Sequence, residues 1–144
     1  MEWAVECFKG EHVGSAEIAT PAVVGAVIDL GLCLSLMERS SIELLRETYE
    51  LGELIGFPGV EGLPKNSGGS DRLRRELDCA TVNMLHWVRE NYQKGHPRFE
   101  SVRALFSEGK PIYPESGFME RSHIQICVRN AECIKGYFYP KDLK

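Results

Sequence analysis

The sequence predicts an α+β fold with a mostly antiparallel sheet and two or three amphipathic helices. Three observations support this class. Helical periodicity recurs in the first half and the middle of the chain, a β-branched run lies between two helical patterns, and the last third alternates apolar and polar residues. The first helix is predicted over residues 2–9, because Trp3, Ala4, Cys7 and Phe8 share one helical face.

The first strand is predicted in the stretch AVVGAVIDL, residues 22–30. Apolar residues occupy both the odd-numbered and the even-numbered positions of this stretch, which is typical of a central strand buried on both faces. Asp29 and Gly31 end or bend it, and Cys33 to Leu36 suits a further short extended segment.

Two longer helices are predicted in the middle of the chain. Ser40 followed by Glu43 is a capping-box pattern, and Ser70 is a plausible N-cap for a helix that runs to about Tyr92. On this second helix a polar face shares helical spacing, with Cys79, Asn83, His86 and Glu90 in line. Such a face could hold a metal, but a solvated face is the commoner reason for it.

The loops are marked by glycine and proline. The stretch GFPGVEGLPKNSGG (56–69) has no GK[ST] ending and so is not a Walker phosphate loop. Residues Phe99 to Phe106 fit a strand or a short helix equally well. A second loop, EGKPIYPESGFMERS, leads into the last strands, and Cys133 to Tyr139 offers a short final strand.

The stretch SHIQICVRN (122–130) poses the main functional question. Ile124, Ile126 and Val128 point to one face of a strand, while polar side chains point to the other. We expect the apolar face to be buried. The polar face carries His123, Gln125, Cys127 and Arg129, and it is either solvated or directed into a cleft.

Composition limits the functional classes. A chain of 144 residues suits one domain over 1–144, and the net charge of −4 without a basic block disfavours duplex nucleic acid. Five cysteines without a CxxC pair predict reduced thiols and a cytoplasmic location. No export signal or membrane span is expected. No metal is expected either, since His123 and Cys127 lie about 13 Å apart along a strand.

The C-terminal third resembles bacterial, toxin-related ADP-ribosyltransferase-like domains. The resemblance lies in a loop with Tyr113 and Phe118, a strand, the Asn130 turn and the stretch CIKGYF. In that family the strand presents a glutamate five residues before the turn, and here the corresponding residue is Gln125. PAVVGAVIDLG is similar to the family's central strand, and MEWAVECF to the helix before it.

The resemblance implies an enzyme that uses NAD for ADP-ribosyl transfer or NAD cleavage, with a protein acceptor for transfer. Gln125 would contact the nicotinamide ribose with His123 beside it, Arg129 would hold a phosphate, and Tyr113 and Phe118 would form a lid. An amide in place of the carboxylate lowers transition-state stabilisation by about 3–4 kcal/mol, so weak or degenerate activity is expected. The family's NAD-binding N-terminal strands would lie upstream of Met1, which suggests the C-terminal portion of a longer catalytic domain.

The alternative is a non-catalytic α+β protein-interaction domain. Its contact surfaces would be the acidic helix face of residues 43–53 and the loop of residues 56–69. An exposed sheet edge would favour a homodimer. A nicotinamide-release assay separates the two hypotheses.

Overall fold

A computed structural model describes residues 23–68, 74–93 and 95–140. These residues form an α+β fold. Its strands are β1 (Gly25–Ile28), β2 (Cys33–Ser35), β3 (Ser101–Phe106), β4 (His123–Val128) and β5 (Ile134–Phe138), and its helices are α1 (Arg39–Ile55) and α2 (Glu76–Asn91). The predicted helix at 2–9 and the predicted cap Ser70 lie outside the described residues.

The chain divides into two compact units, one of residues 1–29 and 131–144 and the other of residues 30–130. In the first unit, β1 pairs antiparallel with β5, and Gly25 lies opposite Phe138. A Cβ at Gly25 would overlap the Phe138 ring, so glycine is required by this close approach. β1 was predicted to be a central strand, but in the described part of the chain its only partner is β5 and Val27 is exposed.

The second unit contains a three-stranded sheet in the order β2-β3-β4. β2 runs parallel to β3, with Leu34 opposite Val102, and β4 runs antiparallel to β3, with Val102 opposite Cys127. The segment from Phe99 to Phe106, which fitted a strand or a short helix equally well, therefore contains the strand β3. β4 lies at one edge of this sheet.

The core of the second unit lies against one face of β2 and β3. Leu34 and Val102 contact Leu85 of α2 and Phe99, and a neighbouring cluster contains Phe57 and Met84. Burying each of these side chains stabilises the fold by about 1.5–3 kcal/mol relative to exposure. The helices thus cover the β2–β3 end of the sheet.

The faces of β4 differ from the prediction. Residues paired directly across two strands share a face, so Gln125, opposite Ala104, lies on the same face as the core residue Val102. Ile124 and Ile126 lie on the other face, where they are 54% and 43% exposed. The expectation that the apolar face is buried was wrong, because the core forms beneath β2 and β3 and β4 lies beyond it.

The helices start at places that the sequence did not indicate. α1 begins after Glu38, which makes no side-chain cap, so the predicted capping box at Ser40 is wrong. At the start of α2, the Oδ1 atom of Asn66 accepts hydrogen bonds from the backbone N–H groups of Leu77 (3.0 Å) and Asp78 (3.3 Å). A loop residue ten positions upstream therefore caps α2. No helix in the described ranges is long and apolar enough to span a bilayer.

Candidate functional site

A cavity of about 610 Å³ opens beside the polar face of α2. The helix supplies His86 and Glu90 to its wall. The remaining lining residues come from three other segments, and they are Leu32, Pro97, Arg98, Phe99, Glu100, Arg129 and Asn130. We call this cavity the Arg129 cleft. Of the four polar residues predicted to align on α2, His86 and Glu90 line the cleft, whereas Cys79 and Asn83 are not among its lining residues.

Arg129 is held in place by two hydrogen bonds. Its backbone N–H donates to the carbonyl oxygen of Glu100 (2.8 Å), and its Nη1 donates to Oδ1 of Asn83 on α2 (3.2 Å). Among the described residues, no carboxylate lies within ion-pair distance of its guanidinium. The cleft is therefore lined by an oriented cation without an acidic counterpart.

The two carboxylates of the cleft, by contrast, have partners. Glu90 Oε1 pairs with Nε of Arg98 at 3.1 Å. Glu100 accepts hydrogen bonds from the backbone N–H of Leu32 (2.9 Å) and from Nδ2 of Asn130 (3.0 Å). Glu90 is thus paired with a cation and Glu100 is held by hydrogen bonds, and the lining as a whole carries two arginines and two glutamates.

His86 forms a buried part of the wall. It is only 3% exposed, and its Nδ1 lies 2.7 Å from the carbonyl oxygen of Val82. Because a carbonyl only accepts, Nδ1 carries the proton in the neutral ring and Nε2 is unprotonated. Nε2 is buried and has no hydrogen-bond partner among the described residues.

Burial lowers the pKa of His86, because the imidazolium would lose its hydration. The hydrogen bond to Val82 acts in the opposite direction, and the positive charge of Arg129 lowers the pKa further. His86 is therefore neutral at pH 7 and does not compete with Arg129 for an anion.

Phe99 connects the two sides of this wall. Its ring meets the His86 ring edge-on, with 5.9 Å between centroids. The guanidinium of Arg89 lies over the same ring, 4.1 Å from its centroid. These contacts fix the Phe99 ring as a packed part of the cleft wall, where it is only 8% exposed.

The predicted catalytic pair lies elsewhere on the sheet. Gln125 is exposed on β4, and its Nε2 donates to Nε2 of His123 at 2.8 Å. The His123 ring stacks on Phe106, and its Nδ1 donates to the carbonyl oxygen of Arg121. Neither Gln125 nor His123 lines the Arg129 cleft. Gln125 is four residues from Arg129, which is about 13 Å along a strand.

The predicted lid residues lie in the loop between β3 and β4. Tyr113 and Phe118 are both exposed, and the backbone N–H of Ile112 donates to the carbonyl oxygen of Phe118 (3.1 Å). Neither aromatic ring lines the Arg129 cleft. Of the five predicted site residues, only Arg129 belongs to the cleft.

A second, smaller cavity of about 230 Å³ lies where α1 joins the loop of residues 56–69. It is lined by Gly52, Glu53, Gly56, Phe57, Val60, Gly62 and Leu63. This loop was expected to be a contact surface in the interaction-domain alternative. The cavity is mostly apolar and has no group for oriented polar recognition apart from Glu53.

The structure offers no metal centre within the ranges described, because no three His, Cys, Asp or Glu side chains cluster there. Cys79 is exposed and does not line the cleft, and Asn83 is occupied by Arg129. On this face of α2, Asn83 accepts a hydrogen bond from Arg129, and His86 forms part of the cleft wall.

Sequence reasoning did not assign His86, Glu100 and Asn130 to a site. The spacing of three residues between Asn83 and His86 indicated that both lie on one side of a helix. Glu100 and Asn130, by contrast, reach the cleft through tertiary contacts that no local pattern encodes. Comparison with known proteins finds no matching family model, no matching curated protein and no matching solved structure. The function must therefore be inferred from the geometry.

Proposed function

We propose that this chain binds a small phosphate-bearing molecule, of the nucleotide class that includes NAD, in the Arg129 cleft. The observation that carries the proposal is the Arg129 guanidinium. Asn83 orients it, it lines a cavity of about 610 Å³, and no carboxylate pairs with it among the described residues.

A guanidinium suits a phosphate because its N–H donors form a planar fork that binds two oxygens at once. The side chain has five such donors, and Asn83 engages only Nη1. Prior orientation by Asn83 reduces the side-chain entropy lost when an anion binds. Donors thus remain for a ligand in a geometry that is already ordered.

The rest of the cleft suits the remainder of a nucleotide. Its volume lies within the range of about 300–1,000 Å³ typical of small-molecule sites. Phe99 is only 8% exposed and Arg89 lies over its ring, so it contributes an apolar part of the wall and no open stacking surface. The carboxylate of Glu90 can accept a hydrogen bond from a ribose hydroxyl while it stays paired with Arg98.

NAD cleavage by Gln125 is a second, separate proposal, taken from the resemblance to ADP-ribosyltransferase-like domains. The hydrogen bond between Gln125 and His123 supports it, because it orients the amide. Gln125 lies within β4 and does not line the Arg129 cleft, so either site can exist without the other. Nicotinamide release that is lost in Gln125→Ala but kept in Cys127→Ser supports this activity, and no release by the wild-type chain refutes it.

Binding is tested by calorimetric titration of the whole chain with ADP-ribose. Arg129→Ala removes charge-assisted hydrogen bonds worth about 1.5–3 kcal/mol, so we expect binding to weaken about 10- to 100-fold. Arg46→Ala is the matched control, since it removes the same charge from the exposed face of α1. Absence of ADP-ribose binding by the wild type, or equal binding by Arg129→Ala, refutes the proposed function.

A further inference from the structure

The C-terminal end of α1 and the loop after it carry charge of one sign. Residues 47–64 contain no Lys, Arg or His, and they contain four exposed glutamates, which are Glu47, Glu50, Glu53 and Glu61. In the part of the chain that the structure describes, none of the four lies within ion-pair distance of a cation. Arg46 directly precedes the stretch, but it forms no ion pair with these residues either. The negative charge of this surface is therefore not compensated by ion pairs.

The backbone of α1 adds to this negative charge. The helix ends at Ile55, and its dipole places a partial negative charge at that end. Basic side chains are favoured there, but the last turn of α1 has none, and Glu50 and Glu53 lie within the last two turns. A cation brought to this end from outside would therefore relieve an unfavourable interaction.

An apolar groove lies beside these carboxylates. It is the cavity of about 230 Å³ lined by residues between Gly52 and Leu63, and we call it the α1 groove. The Phe57 ring is a buried part of its lining and packs on Gly52, where a Cβ would overlap the ring. Val60 and Leu63 also line the groove and are exposed. The groove thus has a packed base and open apolar walls.

The size of the α1 groove suits one apolar side chain. Its volume is below the range of about 300–1,000 Å³ that is typical of small-molecule sites. Between the lining residues Glu53 and Gly56, the side chains of Leu54 and Ile55 are 82% and 61% exposed and extend the apolar surface. An exposed apolar patch with a polar rim is typical of a protein-interaction site.

We propose that the α1 groove binds a basic amphipathic segment of a partner protein. An aliphatic or aromatic side chain of the partner fills the groove, and its Lys or Arg side chains meet Glu53 and Glu61. Glu53 lines the groove, and Glu61 lies between the lining residues Val60 and Gly62. The Tyr49 hydroxyl donates to Oε1 of Glu53 (2.5 Å) and so holds this carboxylate in place. The interaction does not depend on the proposed ligand of the cleft.

The charge of the surface selects this class of partner. Nucleic acids and anionic membranes are negative themselves, so the surface repels them. A second copy of the chain would bring the same four glutamates and a net charge of −4. A cationic segment is attracted instead, over about 8–10 Å at physiological salt.

The apolar contact is tested with a fluorescently labelled peptide made of alternating pairs of lysine and leucine. Titration with the whole chain, followed by fluorescence anisotropy, should show binding, and a peptide with glutamate in place of lysine should not bind. Leu63→Ser removes apolar surface from the groove, so binding should weaken about tenfold. Ile112→Ser, at a similarly exposed position in the loop between β3 and β4, is the matched control and should leave binding unchanged.

The charged contacts are tested by two double variants of equal net charge. Glu53→Gln combined with Glu61→Gln removes two exposed ion pairs with the peptide and should weaken binding about fivefold. Glu76→Gln combined with Glu115→Gln removes the same charge from exposed carboxylates outside the groove. General attraction between an acidic chain and a basic peptide falls equally in both, so this control should bind much more tightly than the groove variant. Circular dichroism checks that all variants fold.

Four results overturn the proposal. The first three are no binding of the lysine–leucine peptide by the wild type, equal weakening by the two double variants, and unchanged binding by Leu63→Ser. The fourth is dimerisation of the chain alone, measured by sedimentation velocity, that is lost in Leu63→Ser. In that case a second copy, and not a basic partner, occupies the groove.

Discussion

The C-terminal end of β4 and its middle have different surroundings. Where β4 ends, Arg129 and Asn130 donate to the carbonyl oxygen of Glu100, and Arg129 reaches Asn83 on α2, so this end is tied to a helix and a neighbouring loop. In the middle of β4, Ile124 and Ile126 have no cover from the helices and remain exposed. Tertiary hydrogen bonds orient polar side chains at one end, while the middle exposes apolar side chains.

This difference separates the proposed ligand site from the exposed middle of β4. The cleft depends on fixed donors and a desolvated wall, which suit a small charged ligand. The middle of β4 instead exposes the apolar side chains of Ile124 and Ile126. Substitutions that affect one region should therefore leave the other intact.

The largest expected effect is the loss of stability when a side chain on the covered part of the sheet is truncated, compared with one on the open part. Leu34 is fully buried against Leu85, so Leu34→Ala should lower the free energy of unfolding by about 2–5 kcal/mol. Ile124→Ala on the open face should change it by less than about 0.5 kcal/mol at low protein concentration. Urea denaturation measures both, and equal losses would show that the open face is covered.

A smaller effect is expected at the start of α2. Asn66→Ala removes the side chain that caps Leu77 and Asp78, so the free energy of unfolding should fall by about 1 kcal/mol. Lys65→Ala, next to it and exposed, is the control and should have little effect. A stability for Asn66→Ala equal to that of the control would contradict the capping role.

The smallest expected effect is a pH dependence of the free energy of unfolding, caused by His86 in the cleft wall. The folded-state pKa of His86 lies below the ordinary value of 6.5, so the unfolded chain binds more protons once the pH falls to about that value. Stability should therefore decrease as the pH is lowered below 6.5, and His86→Gln should reduce that slope. Unfolding free energies between pH 7 and pH 5 test this, and an unchanged slope in His86→Gln would show that another group is responsible.

Several parts of the fold could be predicted from local patterns. The periodicity of residues 44–55 and 77–88 gave both described helices, and the alternation of residues 123–128 gave β4. The α+β class followed from this order of elements. Such features depend on side-chain spacing, which the sequence contains directly.

Other parts depend on contacts between distant residues. Asn66 caps a helix that begins ten residues later, and Glu100 joins Leu32 to Asn130 across the cleft. Alternation shows that β4 has two different faces, but it does not show which face meets the core. That choice follows from where the helices pack, and for this reason the predicted burial of Ile124 and Ile126 was wrong.

The most direct test of the account is an NMR titration of the wild-type chain with ADP-ribose, observed at the side-chain amide of Asn83 and the ring of His86. We predict saturable shifts at both side chains with ADP-ribose, and much smaller shifts with adenosine, which lacks the phosphates that Arg129 would bind. Equal shifts with both molecules, or shifts confined to residues outside the cleft, would contradict the assignment of the Arg129 cleft as a phosphate site.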